Sequence, residues 1–166
     1  MSARPRTMPR HPAPPAAAPA LRYVHRHRVR YRECDPMGVV YHAHVLDWFE
    51  AARTEALRSA GLPYAELEAS GIVMPVVDVA VRYHASVRYD DLVEVETTFP
   101  EPPRVRVPID YAVRREGEAA VLVSGRVTLC FVDAGRGRPV AAPPAVREAL
   151  AAPPASQVGR AGRGGE

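Results

Sequence analysis

The chain has 166 residues and a formal net charge of +3 at pH 7, a length that suits one domain around a single hydrophobic core. All 22 basic residues are Arg, with no Lys or Asn anywhere, so the basicity reflects a biased composition and is weak evidence for a nucleic-acid or membrane partner. Only Cys34 and Cys130 are cysteines, which argues against a disulfide framework or a cysteine-based zinc site and favours a reducing cytoplasm.

Both ends of the chain differ in composition from its middle. Residues 1–20 are rich in Pro and Ala, and residues 152–166 are rich in Gly and Arg. This pattern predicts two disordered tails around one folded domain at 21–151. No stretch approaches the roughly 18 apolar residues of a membrane-spanning helix, so we expect no membrane span.

The pattern of apolar residues in the first half of the domain predicts a strand followed by a long helix. Residues 28–33 alternate apolar side chains with Arg, which is the period of a half-buried strand. Residues 43–60 carry apolar side chains at helical spacing, and a Gly-Leu-Pro run at 61–63 supplies the stop. The apolar positions are Val45, Trp48, Phe49, Ala52 and Ala56. A short second helix is expected over Tyr64–Ala69.

The second half of the domain predicts strands alone. Alternation of period two marks four of them, at 72–84, 92–99, 105–115 and 119–133. Glu116-Gly117-Glu118 forms the turn between the last two. Pro108 cannot donate a ladder hydrogen bond, so its strand is predicted to be an edge there or to carry a bulge. One apolar helix among successive antiparallel strands indicates an α+β fold in which a curved sheet wraps the helix.

The stretch ECDPMGVVYHAH at 33–44 joins the predicted strand to the helix. A structural turn needs its Pro and Gly, but it has no evident use for Asp35 and His42 at its two ends. Gly38 lets the backbone approach a substrate closely, and free backbone N–H groups at the start of a helix favour an anion. This stretch can therefore place an acid and an oxyanion site around one carbonyl.

The run YRECDPMGVVYHAHVLDWFEAART at 31–54 resembles the signature of hot-dog-fold acyl-CoA thioesterases of the 4-hydroxybenzoyl-CoA thioesterase family, which includes the Tol-Pal-associated type. The similarity continues through GLPYAELEASGIVMPVVDVAVRYHASVRYDDLVEVET at 61–97 and covers about 120 residues. The resemblance implies a long helix wrapped by the sheet, no cofactor or metal, and sites at the interface of a homodimer or homotetramer. One departure is His44, where many relatives have Asn.

The resemblance also implies roles for individual residues. Asp35 matches the catalytic carboxylate, as nucleophile or general base, and His42 matches the residue whose backbone N–H polarises the carbonyl, with its ring as a further candidate. Gly38, Tyr41 and Trp48 are expected to contact substrate, and core packing is the plainer alternative for Tyr41. Arg104 and Arg106 are expected to contact the phosphates of CoA, and Arg suits that task geometrically; simple solvated charges are the alternative.

Other functions remain open at this stage. Acyl carrier protein could replace CoA as the thioester donor, and the acyl group could be aromatic or aliphatic. An Arg-rich nucleic-acid-binding module is the non-enzymatic alternative, but no nucleic-acid motif appears. His25 and His27 share a strand face, which is a thin basis for a metal site. A hydratase would use a different His-containing signature.

Overall fold

A computed structural model describes residues 21–151, in which a sheet of five long strands encloses one long helix. The elements in chain order are β1 (Leu21–Arg28), α1 (His44–Ser59), α2 (Tyr64–Ala69), β2 (Ile72–Val73), β3 (Val76–Tyr83), β4 (Leu92–Phe99), β5 (Arg106–Arg115), β6 (Val121–Cys130), β7 (Val132–Asp133), β8 (Arg138–Pro139) and α3 (Pro144–Ala151). The tails predicted at 1–20 and 152–166 lie outside the described residues. No helix within 21–151 is long and apolar enough to cross a bilayer.

The main sheet has the strand order β1-β4-β5-β6-β3, and every neighbouring pair is antiparallel. A second, three-stranded sheet joins β2, β7 and β8. The edges of the main sheet are therefore β1 and β3.

Helix α1 packs on the inner face of the main sheet and forms much of the core, as its apolar spacing predicts. Its buried side chains are Val45, Trp48, Phe49, Ala52, Ala56 and Leu57. The ring of Phe49 stacks on Tyr111 of β5 with centroids 4.1 Å apart. It also lies against Gly125 of β6, where an added Cβ would come within 2.5 Å of the ring. Glycine at 125 is thus what allows the helix to approach the sheet this closely.

The strand predicted at 28–33 is wrong. The first strand is β1, Leu21–Arg28, and Tyr31–Glu33 form a single 3-10 turn. The alternation misleads because Val29 is buried while Tyr31 is 81% exposed, so the two do not share a face. The chain turns here because the Arg30 N–H donates to the Glu33 carboxylate and the Val29 N–H donates to the Asp91 carbonyl.

The later predictions are confirmed with two interruptions. The strand predicted at 72–84 is broken at Met74 and Pro75 into β2 and β3, and the one at 119–133 is broken at Phe131 into β6 and β7. Both breaks arise because β2 and β7 pair with each other in the second sheet. Pro108 is tolerated because the β4 ladder ends at Asp110, which leaves β5 an edge at that point, as expected.

Candidate active site

The predicted catalytic stretch forms a tight hairpin between β1 and α1. The Gly38 N–H donates to the Asp35 carbonyl, and the Asp35 N–H donates to the Val39 carbonyl, both at 2.9 Å. Cys34 and Val40 then pair as an isolated antiparallel bridge. Gly38 adopts a φ of +73°, the left-handed conformation that such a bulged turn requires.

The Asp35 side chain lies at the first corner of this hairpin and is half-buried. Its Oδ1 accepts a hydrogen bond of 2.8 Å from the Met37 N–H, which fixes the carboxylate to its own turn. No other residue within 21–151 donates a hydrogen bond to this carboxylate. It therefore keeps acceptor capacity for a substrate or a water molecule.

The other limb of the hairpin leads directly into α1. The Tyr41 N–H donates to the Glu33 carbonyl at 2.9 Å, and the His44 N–H donates to the Tyr41 carbonyl at 3.0 Å. Between them, the His42 N–H finds no acceptor among the described residues. The start of α1 thus presents a free donor next to a helix N-terminus, the arrangement that accommodates negative charge.

Tyr83, the last residue of β3, fixes the peptide at the start of the helix. Its hydroxyl donates to the His42 carbonyl at 2.8 Å. The His42 ring is exposed and lies 4.3 Å from the Tyr41 ring, centroid to centroid. Neither ring is held in the core, so both are available at the surface. His44, the departure from the family pattern, instead binds the Asp47 carboxylate through Nδ1 at 2.9 Å.

A cavity of about 290 Å³ opens beside this hairpin. Its lining is largely aliphatic, with Val39 and Val40 from the hairpin, Val45 from α1, Tyr83 and the segment 84–87, and Val123 from β6. The Val40 N–H donates to the Val87 carbonyl at 2.8 Å, so the hairpin and the cavity wall are tied together. A mostly aliphatic space with a few polar groups suits the acyl part of a substrate.

Trp48 lies behind the hairpin and not in the cavity lining. It is 2% exposed, and its Nε1 donates to Glu33 Oε1 at 3.2 Å. The Glu33 carboxylate, itself 5% exposed, also accepts from the Arg30 N–H at 2.7 Å and from His27 Nε2 at 2.9 Å. We call this group of His27, Arg30, Glu33 and Trp48 the Glu33 cluster.

Four of the predicted residues, Asp35, Gly38, Tyr41 and His42, therefore lie on one hairpin. Arg104 and Arg106 do not join them within the protomer. Arg106 pairs with Cys130 at the end of the sheet where β3 begins, whereas Tyr83 marks the opposite end of β3. The seven-residue rise of that strand separates the two ends by about 23 Å.

Sequence reasoning missed Glu33 and Tyr83. The predicted strand at 28–33 left Glu33 at its end without a role, although a buried carboxylate could have been suspected from the His and Trp donors nearby in the sequence. Nothing in the sequence links Tyr83 to His42, which is 41 positions away. His27 binds Glu33, and within 21–151 no cluster of three His, Cys, Asp or Glu side chains has the geometry of a metal site.

Comparisons with known proteins identify the family to which the chain belongs. A protein-family model described as the thioesterase-like superfamily matches residues 29–150. The acyl-CoA thioesterase YbgC of Haemophilus influenzae is 35% identical over 124 residues, which cover 74% of this chain and 90% of that protein.

Solved structures show the same fold. A DHNA-CoA thioesterase from Staphylococcus aureus aligns with a TM-score of 0.69 at 30% identity, covering 73% of this chain and 80% of that one. A 4-hydroxybenzoyl-CoA thioesterase aligns with a TM-score of 0.71 over 78% of this chain and 98% of that one. At 23% identity the second likeness bears on the fold alone. Together these matches confirm the predicted α+β hot-dog fold.

Proposed function

Since the chain belongs to the thioesterase-like superfamily and is a thioester hydrolase, we propose that it cleaves acyl-CoA to a free acid and CoA, with Asp35 as the catalytic carboxylate. One observation carries this proposal. A carboxylate with spare acceptor capacity and a free N–H at a helix start lie on the two limbs of one hairpin, beside a mostly aliphatic cavity.

The proposed chemistry assigns a task to each limb. Asp35 either attacks the thioester carbonyl carbon, forming an anhydride that water then hydrolyses, or removes a proton from a water molecule that attacks the same carbon. In both routes the C–S bond breaks, and the CoA sulfur leaves and acquires a proton. The carbonyl oxygen gains negative charge on the way, which the His42 N–H and the α1 N-terminus are positioned to stabilise.

The acyl group is proposed to enter the cavity lined by Val39, Val45 and Val123. Its walls are mostly aliphatic, with Tyr83, His84 and Ser86 as the polar lining residues, so an apolar aromatic ring or a short aliphatic chain is proposed as the acyl group. Gly38 and Tyr41 are proposed to border the thioester, since both are exposed on the hairpin. Trp48 is proposed to act from behind it, through Glu33.

We propose that two protomers pair along β3. Val77 and Val79 of this strand are 48% and 43% exposed, and an apolar open edge is a site for strand pairing. The other edge strand, β1, is rich in Arg, and Arg22 and Arg28 form ion pairs with Glu96 and Asp90. Charged edges of this kind discourage pairing, so β3 is the better dimer edge.

Pairing along β3 would also complete the site. If β3 pairs antiparallel with its copy over its full length, Val76 of one protomer lies opposite Tyr83 of the partner subunit. The Arg104 and Arg106 of one protomer then approach the Asp35 hairpin of the other. This arrangement supports phosphate contacts from across the interface, which a single protomer does not allow.

The nucleic-acid alternative receives less support. Most of the Arg side chains on the outer face of the sheet have acidic partners: Arg22 and Arg114 with Glu96, Arg26 with Glu94 and Glu116, Arg28 with Asp90, and Arg126 with Asp110. Such a face is interleaved in sign and is not a continuous basic surface of the kind that binds phosphate backbones. The cytoplasmic location stays a proposal, supported by the free thiols of Cys34 and Cys130.

Thiol release from a panel of thioesters tests the function. The panel contains aromatic and aliphatic acyl-CoAs from short to long, and the same acyl groups on acyl carrier protein. Turnover of one acyl-CoA class supports the proposal and identifies the acyl group. Turnover of carrier-protein esters alone would replace CoA as the donor, and no turnover of any thioester would contradict the proposal.

Subunit mixing tests the shared site. Asp35→Asn protein is mixed with an Arg104→Ala/Arg106→Ala variant under conditions that exchange subunits. If Asp35 and the two Arg side chains come from different protomers, each mixed dimer contains one intact site, so about a quarter of wild-type activity returns at subsaturating substrate. No recovery after verified exchange would place all three residues in one protomer.

Val79→Arg tests the dimer edge. It is expected to give monomers with little activity, measured by sedimentation and thiol release.

A further inference from the structure

We infer that Glu33 is a positioning residue of this active site, which sets the relative placement of Asp35 and His42 without contacting the substrate. This inference rests on the proposed function, because it assigns a role within that hydrolysis. Glu33 is the first residue of the catalytic stretch at 33–44, but it was not among the residues to which the sequence assigned a catalytic or substrate-binding role.

The carboxylate of Glu33 connects three parts of the fold. It accepts hydrogen bonds from His27 of β1, from the backbone of Arg30, and from Trp48 of α1. The rings of His27 and Trp48 also lie 5.0 Å apart, centroid to centroid. Strand, turn and helix are thus held to one buried acid, in surroundings where each hydrogen bond is strong and each unpaired group is costly.

The backbone of Glu33 holds the other limb. Its carbonyl accepts the Tyr41 N–H at 2.9 Å, and Tyr41 immediately precedes His42. Asp35 lies two residues after Glu33 in the opposite direction. Glu33 therefore anchors both the limb that carries Asp35 and the limb that carries His42. Small misplacements of catalytic groups lower the reaction rate strongly.

The chemistry of the carboxylate is specific to this task. Its two oxygens accept three N–H donors at the same time, which a carboxylate can do and a carboxamide cannot. In Glu33→Gln, one of the two terminal atoms becomes an NH2 group that faces a donor. Arg30 donates from the backbone and Trp48 has an indole N–H, so neither can reverse its role. The cluster must then rearrange and carry the hairpin with it.

The test compares the kcat of Glu33→Gln with that of Val95→Ala. Val95 is fully buried in the core of β4, so this control shows how far a loss of Tm by itself lowers kcat. The substrate is the acyl-CoA that the wild type turns over fastest. We expect Glu33→Gln to lower kcat about 10- to 100-fold with KM changed less than about threefold, and Val95→Ala to retain kcat. Trp48 is the single tryptophan, so its emission should shift in Glu33→Gln alone.

A second pair of variants keeps the inference falsifiable if Glu33→Gln does not fold. His27→Leu removes one donor to Glu33, whereas His27→Gln places an amide N–H near the position of Nε2. We expect His27→Gln to retain several-fold more kcat than His27→Leu. Equal kcat in that pair, wild-type kcat in Glu33→Gln, or a rise in KM alone would overturn the positioning role. An inert wild type would instead overturn the proposed function itself.

Discussion

Replacing Gly38 with Ala tests whether the shape of the Asp35 hairpin matters for catalysis. Gly38 has a φ of +73°, and a Cβ built there meets no heavy atom within 4 Å. The added methyl group therefore causes no clash, and the cost is the backbone strain of a left-handed residue, about 1–2 kcal/mol. For a domain of this size, that strain lowers Tm by roughly 4–8 °C.

Gly61 provides a matched control. It has a φ of +76° and equally open surroundings, but it follows the far end of α1, about 25 Å from the first turn of that helix. We expect Gly38→Ala and Gly61→Ala to lose similar stability in thermal unfolding. Only Gly38→Ala should also lose kcat, by about tenfold or more, because its strain is relieved by moving the Asp35 hairpin. Equal kcat in the two variants would refute the reasoning.

Three further predictions concern the core, the substrate and pH. Gly125→Ala should lower the free energy of unfolding by about 1–3 kcal/mol in denaturant titration, since its Cβ overlaps the buried ring of Phe49; an unchanged midpoint would contradict the tight packing. Arg104→Ala/Arg106→Ala should raise KM about tenfold or more for acyl-CoA but not for the same acyl group on N-acetylcysteamine, which lacks phosphates; equal effects on both thioesters would exclude phosphate contact. Burial alone would raise the pKa of Glu33, but the hydrogen bonds it accepts outweigh burial and hold its pKa below the usual 4.5, so its ionised form adds stability above about pH 4.5. The stability advantage of wild type over Glu33→Gln should therefore shrink as pH falls below that value, and an advantage independent of pH would contradict the lowered pKa.

Much of the fold could be predicted because local pattern and tertiary packing agree. The apolar spacing of α1 predicts its buried face, and the alternation of Leu92–Phe99 predicts β4 with its observed bounds. The turn between β5 and β6 follows from Gly117, which has a φ of +78°. In these segments the same residues determine the secondary structure and its burial.

The errors come from contacts that alternation does not encode. Residues 28–33 have the period of a strand, but hydrogen bonds from Arg30 to Glu33 and from Val29 to Asp91 turn the chain instead. The long strand predicted at 72–84 ignores the pairing of β2 with β7. In both cases a partner distant in the sequence, Asp91 for Val29 and β7 for β2, helps to decide the backbone path.

The candidate site was predictable only where it is local. Asp35, Gly38 and His42 are close in sequence, so one motif identifies them. The bond from Tyr83 to His42 joins β3 to the start of α1, and no short motif contains both residues. Arg106 and Tyr83 lie at opposite ends of the sheet because of how β3, β5 and β6 pair. No local sequence motif encodes that pairing.

The central claim is that Asp35 is the carboxylate that hydrolyses the thioester, and the most direct measurement is kcat for Asp35→Asn on the best acyl-CoA substrate. Asp47→Asn is the control, since Asp47 is an exposed acid in the first turn of α1 whose partner is His44. We expect Asp35→Asn to lower kcat by about 100-fold or more, with the fold and dimer intact, while Asp47→Asn stays within about threefold of wild type. Wild-type kcat in folded Asp35→Asn would contradict the claim.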